Sequence, residues 1–587
     1  MKLFSTDKLL SLAFGILVFL FFAFLYPFHL NYQEQYQMFL FTSDYFFGFM
    51  VKPGGFSDYI GNFLTQFFFY SWVGAIIIAS LLTLLQRAIW FIANKLGANP
   101  LFVPITLIPS LLYWGLLCDE NYLLGGVVVM LLVVAFICVY TLIKSSQIRV
   151  LFILLSIPIL YWLAGGVFLL LPLFAIIYEA IRHEIKNFQL VLFVLGCVVL
   201  SFVLPILSKT YLLQLPMRQA LIGVNFFRFP VIIPLSVGII ALLLVLIPIV
   251  LCYLPAPAKK NKTLLILVVQ LFVLLFGGSL FIRQTMDMKK EELMAYDFNV
   301  RMRKWDRVIA LADKKAPSSP LSVTCLNLAL AKKGLLADRM FCYFQNGVGG
   351  LIPDFVRDFT IPMIAGEVYY HLGFVNTAQR YAFEAMEALP DYQKSVRTVK
   401  RLAETNLING NYTVAGKYLQ MLQKTFYYRS WATKALITMK DEKLMNQHPE
   451  WGWLRQCRTN EDFLFSEGEK DMMLGILFNQ NKENRMAYEY LMAYCLLTKD
   501  MQHFMQYIPL GRSLNYKAIP NSYQEALVYV WEKTNSDPAK EIPYSISPLT
   551  MQRMKAFERV SPGQSNPDPA AFNAFTNTYW YYFQFRK

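Results

Sequence analysis

The chain is poor in charge. Of 587 residues only 16% are Asp, Glu, Lys or Arg, against about 25% in an ordinary soluble domain. With 56% hydrophobic residues and a mean hydropathy of +0.41, this excludes a single water-soluble globule, and it excludes disorder. Cysteine is sparse as well. The eight cysteines form no CxxC pair and show no Cys/His spacing, which argues against a zinc module and a dense disulfide framework. Free buried thiols are expected, with Cys325–Cys342 left open as a single bridge. Gly-rich nucleotide loops, a Ser/His/Asp arrangement and HExxH are missing. ATPases, nucleophilic hydrolases and zinc proteases are therefore disfavoured.

The charge that is present lies mostly in one half. Residues 1–285 hold 16 Lys and Arg and 8 Asp and Glu, against 38 and 31 in the remaining 302. The first half has the composition of a membrane domain and the second that of a soluble one. The net charge of +15 divides as +8 and +7. Loop anchoring accounts for the excess, so no nucleic-acid partner is needed.

A span needs about 20 mostly apolar residues. Nine are expected: about 9–30, 67–93, 101–117, 123–143, 150–164, 167–181, 188–207, 231–254 and 264–282. The fifth and sixth are short and meet at Gly165-Gly166, as two tilted helices or one re-entrant pair. The first is too long for a signal-peptide core and lacks a small-residue cleavage site. With the N-terminus inside, the inner segments carry Lys2, Lys8, Arg87, Lys95, Lys144, Arg149, Arg182, Lys186, Lys259, Lys260 and Lys262. The outer loops carry only Lys52, Lys209, Arg218 and Arg228. That bias orients the bundle. An odd span count then places everything beyond the ninth span outside, in the periplasm of a bacterial inner membrane. Glu179, near the inner end of the sixth span, is expected to reach the cytoplasmic surface.

From about 290 the pattern is helical. Three segments carry a Gly turn followed by a small residue: Lys333-Gly334-Leu335-Leu336-Ala337, Leu372-Gly373-Phe374-Val375-Asn376-Thr377-Ala378, and Asn409-Gly410-Asn411-Tyr412-Thr413-Val414-Ala415. Over about 300–430 this resembles the tetratricopeptide repeat, in which small residues sit where paired helices pack closely. The expected organisation is all-α: a membrane bundle over 1–285, an extracytoplasmic helical-repeat domain over 286–535, and a Pro-containing linker with an aromatic tail over 536–587. The polar linker is expected at 536–569. The tail Phe572–Phe585 is expected to pack on the domain or on the bilayer surface.

Candidate chemistry lies in the outer loops. The first, about 31–66, holds Glu34, Asp44 and Asp58 and a turn at Pro53-Gly54-Gly55. The second is short and holds Asp119-Glu120. The loop 208–229 holds Lys209, Arg218 and Arg228. This layout is similar to the GT-C class of integral-membrane glycosyltransferases, which use polyprenyl-linked sugars and carry acidic residues in the first two outer loops. The first-loop motif would be Gln33-Glu34-Gln35-Tyr36-Gln37-Met38-Phe39, with Gln33 where the class has an acid. The second would be Asp119-Glu120. The resemblance covers residues 1–285 and implies a polyprenyl-phosphate-type sugar donor and an extracytoplasmic acceptor. It implies Glu34 as general base with Asp44 next, Asp119 and Glu120 as oxygen ligands for a divalent cation, and Arg218 and Arg228 as a phosphate clamp. The whole chain also resembles an uncharacterised family of bacterial membrane proteins with helical-repeat tails. Each residue has an ordinary reading too. Outer loops are polar, loop acids mark the water boundary, and arginines snorkel to headgroups. His29 reads as a helix-end residue at the interface. The competing function is a membrane-anchored scaffold that recruits envelope proteins through its repeats. A transporter is disfavoured, because no span shows a mid-bilayer acid or base.

Overall fold

The computed structural model describes residues 6–182, 187–214, 216–229, 235–255, 260–390, 393–459, 465–534, 542–560 and 573–585. Among them the chain is helical, and the only pairing of β type is an isolated antiparallel bridge between Tyr122 and Phe227. Two compact units form. Unit 1 comprises Met1–Glu291, Leu389–Ser395 and Lys424–Tyr427, and unit 2 comprises Glu292–Ala388, Val396–Gln423 and Tyr428–Lys587.

Unit 1 begins with α1 (Thr6–Leu20), which runs on as a π-helical turn over Phe21–Leu25. Tyr26 leaves helical geometry, and Pro27 at the first position opens α2 (Pro27–Gln35), where a missing N–H costs nothing. Next come α3 (Ser43–Met50), α4 (Gly55–Thr65) and α5 (Ser71–Lys95). The expected first outer loop is thus three short helices. After α5, Pro100 and Pro104 confine Pro100–Leu107 to a 3-10 helix before α6 (Ile108–Leu116), because proline withholds a donor. Then follow α7 (Gly125–Leu142), α8 (Ser146–Ala164), α9 (Leu170–Arg182), α10 (Asn187–Leu207), α11 (Met217–Ile222), α12 (Leu235–Tyr253), α13 (Lys260–Thr285) and α14 (Met288–Arg301). The core is built along α5, whose Leu82, Leu85 and Ile89 are fully buried.

Among the described residues the nine expected spans fall on seven helical runs long and apolar enough to cross a membrane and on the shorter apolar Pro100–Leu116. The expected third span is apolar but short. The fifth and sixth belong to one 37-residue run, Ser146–Arg182. That run folds back on itself. Arg149, in the first turn of α8, donates through Nε to Glu179 Oε1 at 2.5 Å and through Nη2 to Oε2 at 3.0 Å, near the end of α9. Antiparallel legs alone bring those positions together, so Gly165 is the bend. Glu179 is buried in this ion pair and does not reach the surface as expected. Tyr140, at the end of α7, adds a hydroxyl donor at 2.7 Å. At the same end Asp7 of α1 pairs with Arg87 of α5 at 2.9 Å. Lys2, Lys186 and Lys259 of the expected inner set lie outside the described residues, as does the start of the eighth span.

The opposite end is held together by backbone. Gly165 (φ 53°) and Gly223 (φ 71°) take left-handed conformations. A Cβ on Gly165 would stand 2.4 Å from the Ile222 carbonyl oxygen, and one on Gly223 would stand 2.6 Å from that of Pro53. Three loops therefore meet where only glycine fits. Gly54 N–H donates to the Trp162 carbonyl at 2.8 Å, and Tyr161 O–H donates to that of Ala220 at 2.8 Å.

Unit 2 opens with the remainder of α14 and α15 (Trp305–Lys314). The three glycine turns each have positive φ: 65° at Gly334, 112° at Gly373 and 77° at Gly410. Two of them join full helix pairs, α18 (Thr360–Leu372) with α19 (Val375–Glu387) and α20 (Val396–Ile408) with α21 (Tyr412–Gln423). The first joins α16 (Pro320–Lys332) to α17 (Leu336–Arg339), which is a single turn rather than the expected second helix. The expected linker 536–569 contains a helix over Pro548–Val560; most of the rest of it lies outside the described residues. The aromatic tail packs on unit 2. Trp580 is fully buried with Val528, Met554 and Phe557, and its ring N–H donates to the Glu525 carbonyl at 2.7 Å. Phe572 lies outside the described residues. All eight cysteines are free, Cys325 buried and Cys342 exposed, so the open bridge does not form.

Candidate functional site

The glycine-joined end of unit 1 gathers α2, the turn 117–124 and the segment around Arg228. The turn and the Arg228 segment lie edge to edge. Leu123 N–H donates to the Phe226 carbonyl at 2.9 Å, and Arg228 N–H donates to that of Asn121 at 2.8 Å. Helix α2 presents His29, Tyr32, Gln33 and Tyr36 at helical spacing to this pair of strands of chain. Gln33 Nε2 donates to the carbonyls of Asp119 (3.4 Å) and Tyr122 (3.2 Å). The Tyr32 and Tyr36 hydroxyls bond to each other.

Arg228 is the focus. Only 7% of it is exposed, and its guanidinium carbon lies 3.1 Å from the centre of the Tyr36 ring. Its Nη1 meets no hydrogen-bond acceptor among the described residues. Burial pushes the guanidinium down to about 10, with Tyr36, Tyr32 and Glu120 opposing, so it remains a cation at neutral pH. Glu120 is already engaged: Lys290 Nζ donates to its Oε1 at 2.7 Å. Burial holds the neighbouring Asp119 above the usual carboxylate range, against the hydrogen bond that Asn121 N–H donates to it at 2.8 Å. His29 is fully buried, and burial pushes its imidazole down to about 4. It is neutral at physiological pH.

The first turn of α14 orders the whole. Glu291 accepts from the backbone N–H groups of Phe28 at 2.8 Å and His29 at 2.9 Å. A carboxylate there caps α2 and complements its dipole. Burial pushes this carboxyl up to about 7 in spite of those two bonds. Sequence spacing gives no hint of Lys290 or Glu291, which act across 170 and 263 residues. Positions 29, 32 and 33 of α2 and its cap residue Tyr36 fall on one helical face.

Of the expected residues, the structure unites Asp119, Glu120 and Arg228 and separates the others. Glu34 lies on a different face of α2. It is 4% exposed, on the side where Asn31 Nδ2 donates to the Phe68 carbonyl at 2.8 Å. Burial, then Tyr70 and Glu34, push the Tyr427 phenol up, and Tyr427 stacks on Phe69 at 4.7 Å. Asp44 is exposed in the first turn of α3 and Arg218 is exposed on α11, so neither joins the cluster. Asp58 is buried and pairs with Lys52 at 2.9 Å. Among the described residues no group of three or more His, Cys, Asp or Glu is arranged to hold a metal. The Lys290 ammonium stands beside Glu120 where a divalent cation was expected.

An apolar bundle with this many crossing-length helices is that of a multi-pass membrane protein. The chain belongs to the DUF6057 family, a family of unknown function, which matches residues 2–586. No curated protein matches the chain. No solved structure matches it either.

Proposed function

We propose that the chain transfers a sugar from a polyprenyl-phosphate donor to an acceptor on the outer side of a bacterial inner membrane, with its N-terminus cytoplasmic and unit 2 periplasmic. The reading rests on Arg228, a buried, stacked guanidinium with an unmet donor, beside an acidic turn at one end of an apolar bundle. A donor with its tail in hydrocarbon carries its phosphate to this level. The guanidinium fork suits two phosphate oxygens. The acceptor oxygen attacks the anomeric carbon, and the bond from that carbon to the phosphate oxygen breaks. The phosphate leaves with the electron pair, stabilised by Arg228. The acceptor's proton goes to Asp119, whose raised affinity for protons suits a general base. Asp119 thus takes the role first given to Glu34, which faces away from Arg228.

The test compares deletion, wild-type, Asp119→Asn and Arg228→Lys strains at matched protein level, with envelope glycans and lipid-linked sugars read by mass spectrometry. Loss of one glycan, with build-up of its lipid-linked donor in the deletion and both variants, is the expected result. An unchanged glycan profile on deletion overturns the reading. The scaffold alternative draws on the paired helices of unit 2. It gains if deletion disperses an envelope protein complex that Asp119→Asn restores in full.

A further inference from the structure

Helix α3 exposes apolar side chains although it is too short to cross a membrane. One side is packed: Tyr45, Phe46 and Phe49 lie with ring centres 6.2, 5.1 and 5.9 Å from that of Tyr59 on α4. The other side is bare, with Phe47 63% and Val51 64% exposed. Thr42 caps the helix, its hydroxyl accepting from Tyr45 N–H at 3.3 Å, and Asp44 is exposed in the first turn. In sequence α3 falls between the end of one crossing helix and the start of the next, at the end of the bundle where α5 begins. That end carries other exposed aromatics, Tyr70 and Trp72 at the start of α5 and Tyr211 after α10. Aromatic side chains with a polar edge gather at the boundary between hydrocarbon and water.

We propose that α3 is an interfacial helix lying in the headgroup layer of the bilayer, with Phe47 and Val51 in lipid and Asp44 in water. The bare face is apolar like the exposed sides of the crossing helices, and a short helix with one aromatic face matches the chemistry of in-plane membrane binding. The inference concerns the packing of unit 1 alone and stands whether or not the chain transfers sugar.

The test places single nitroxide probes in the full-length protein in liposomes, after replacing the exposed Cys342 by serine. Probes at Asp44, Phe47 and Val51 are compared with one at lipid-facing Val191 on α10 and one at exposed Thr433 in unit 2. Accessibility to oxygen, which concentrates in lipid, is measured against a water-soluble nickel complex. Probes at Phe47 and Val51 should match Val191, and the probe at Asp44 should favour nickel by about tenfold over them. If Phe47 and Val51 match Thr433, the face is in water and the proposal fails. If both reagents are excluded there, protein covers the face and the proposal also fails. Both side chains are exposed, so cysteine at either position leaves the packing intact.

Discussion

Arg228→Lys is the sharpest single substitution in unit 1. Lysine keeps the charge but loses the planar stack on Tyr36 and the second donor arm. Donor affinity should fall about 10–100-fold with folded protein unchanged, checked by titrating a lipid-phosphate sugar against purified protein. Glu291 supplies a pH test. Its carboxyl is raised to about 7 from the usual 4.5, so folding favours the protonated form. That stability is fully present below about 4.5 and is lost as pH rises through about 7. Glu291→Gln removes the titration and keeps one acceptor for α2. Relative to the variant, the wild type should therefore lose stability between pH 5 and pH 8, by up to about 3 kcal/mol. Thermal melts in detergent at both pH values read it, and parallel curves would refute it. At this scale the sequence drew attention to Asp119, Glu120 and Arg228, which the fold brings together, because charges are rare in apolar surroundings and stand out. That Glu34 lies on a different face of α2 was not legible, because only a three-dimensional helix reveals which way position 34 faces.

Gly165 and Gly223 bind three loops at one end of unit 1 through backbone contact, so their substitution tests an element rather than a side chain. Alanine at either position meets a strained φ and a carbonyl oxygen closer than 3 Å. A loss of about 3 kcal/mol or more is expected. Gly97→Ala is the control: φ is 93° but a Cβ there meets nothing within 4 Å, so only about 1 kcal/mol should go. Equal losses at Gly97 and Gly165 would show that close packing is irrelevant. The α8–α9 fold-back offers a second test. Removing one partner of the Arg149–Glu179 pair leaves a buried charge and should cost about 3–5 kcal/mol, while Arg149→Met with Glu179→Met should recover most of it. Yield of folded protein by size exclusion would reveal the pattern. The bend was legible at Gly165-Gly166, and so were the turns at Gly373 and Gly410, because glycine marks positive φ. The three helices within 31–66 were not legible. They are too short and too mixed in polarity for a periodic signal, and tertiary burial sustains them.

Across the whole of unit 1 two ends can be told apart from contacts alone. Asp7, Arg87, Arg149 and Glu179 mark one, and α2, Asp119, Gly165 and Gly223 mark the other. A thiol placed at exposed Asp44 and one at exposed Ser145 should react with an impermeant reagent from opposite sides of a sealed membrane. Labelling of both from one side would break the arrangement of legs. Composition revealed the membrane half and the helical class, since both depend on bulk hydrophobicity. The lengths of the individual crossings were harder to read. Hydropathy counts apolar residues, and neither the prolines at 100 and 104 nor the fold-back at Gly165 changes that count.

The Arg149–Glu179 pair also constrains how the protein is made. Arg149 leaves the ribosome 30 residues before its partner, at the head of a leg that would carry a lone guanidinium into oil. The insertion machinery therefore gains by retaining α8 until α9 has emerged and delivering both legs to lipid in one step. A nascent chain stopped at Ala164 should stay crosslinked to the translocon, whereas one extended past Arg182 should be released.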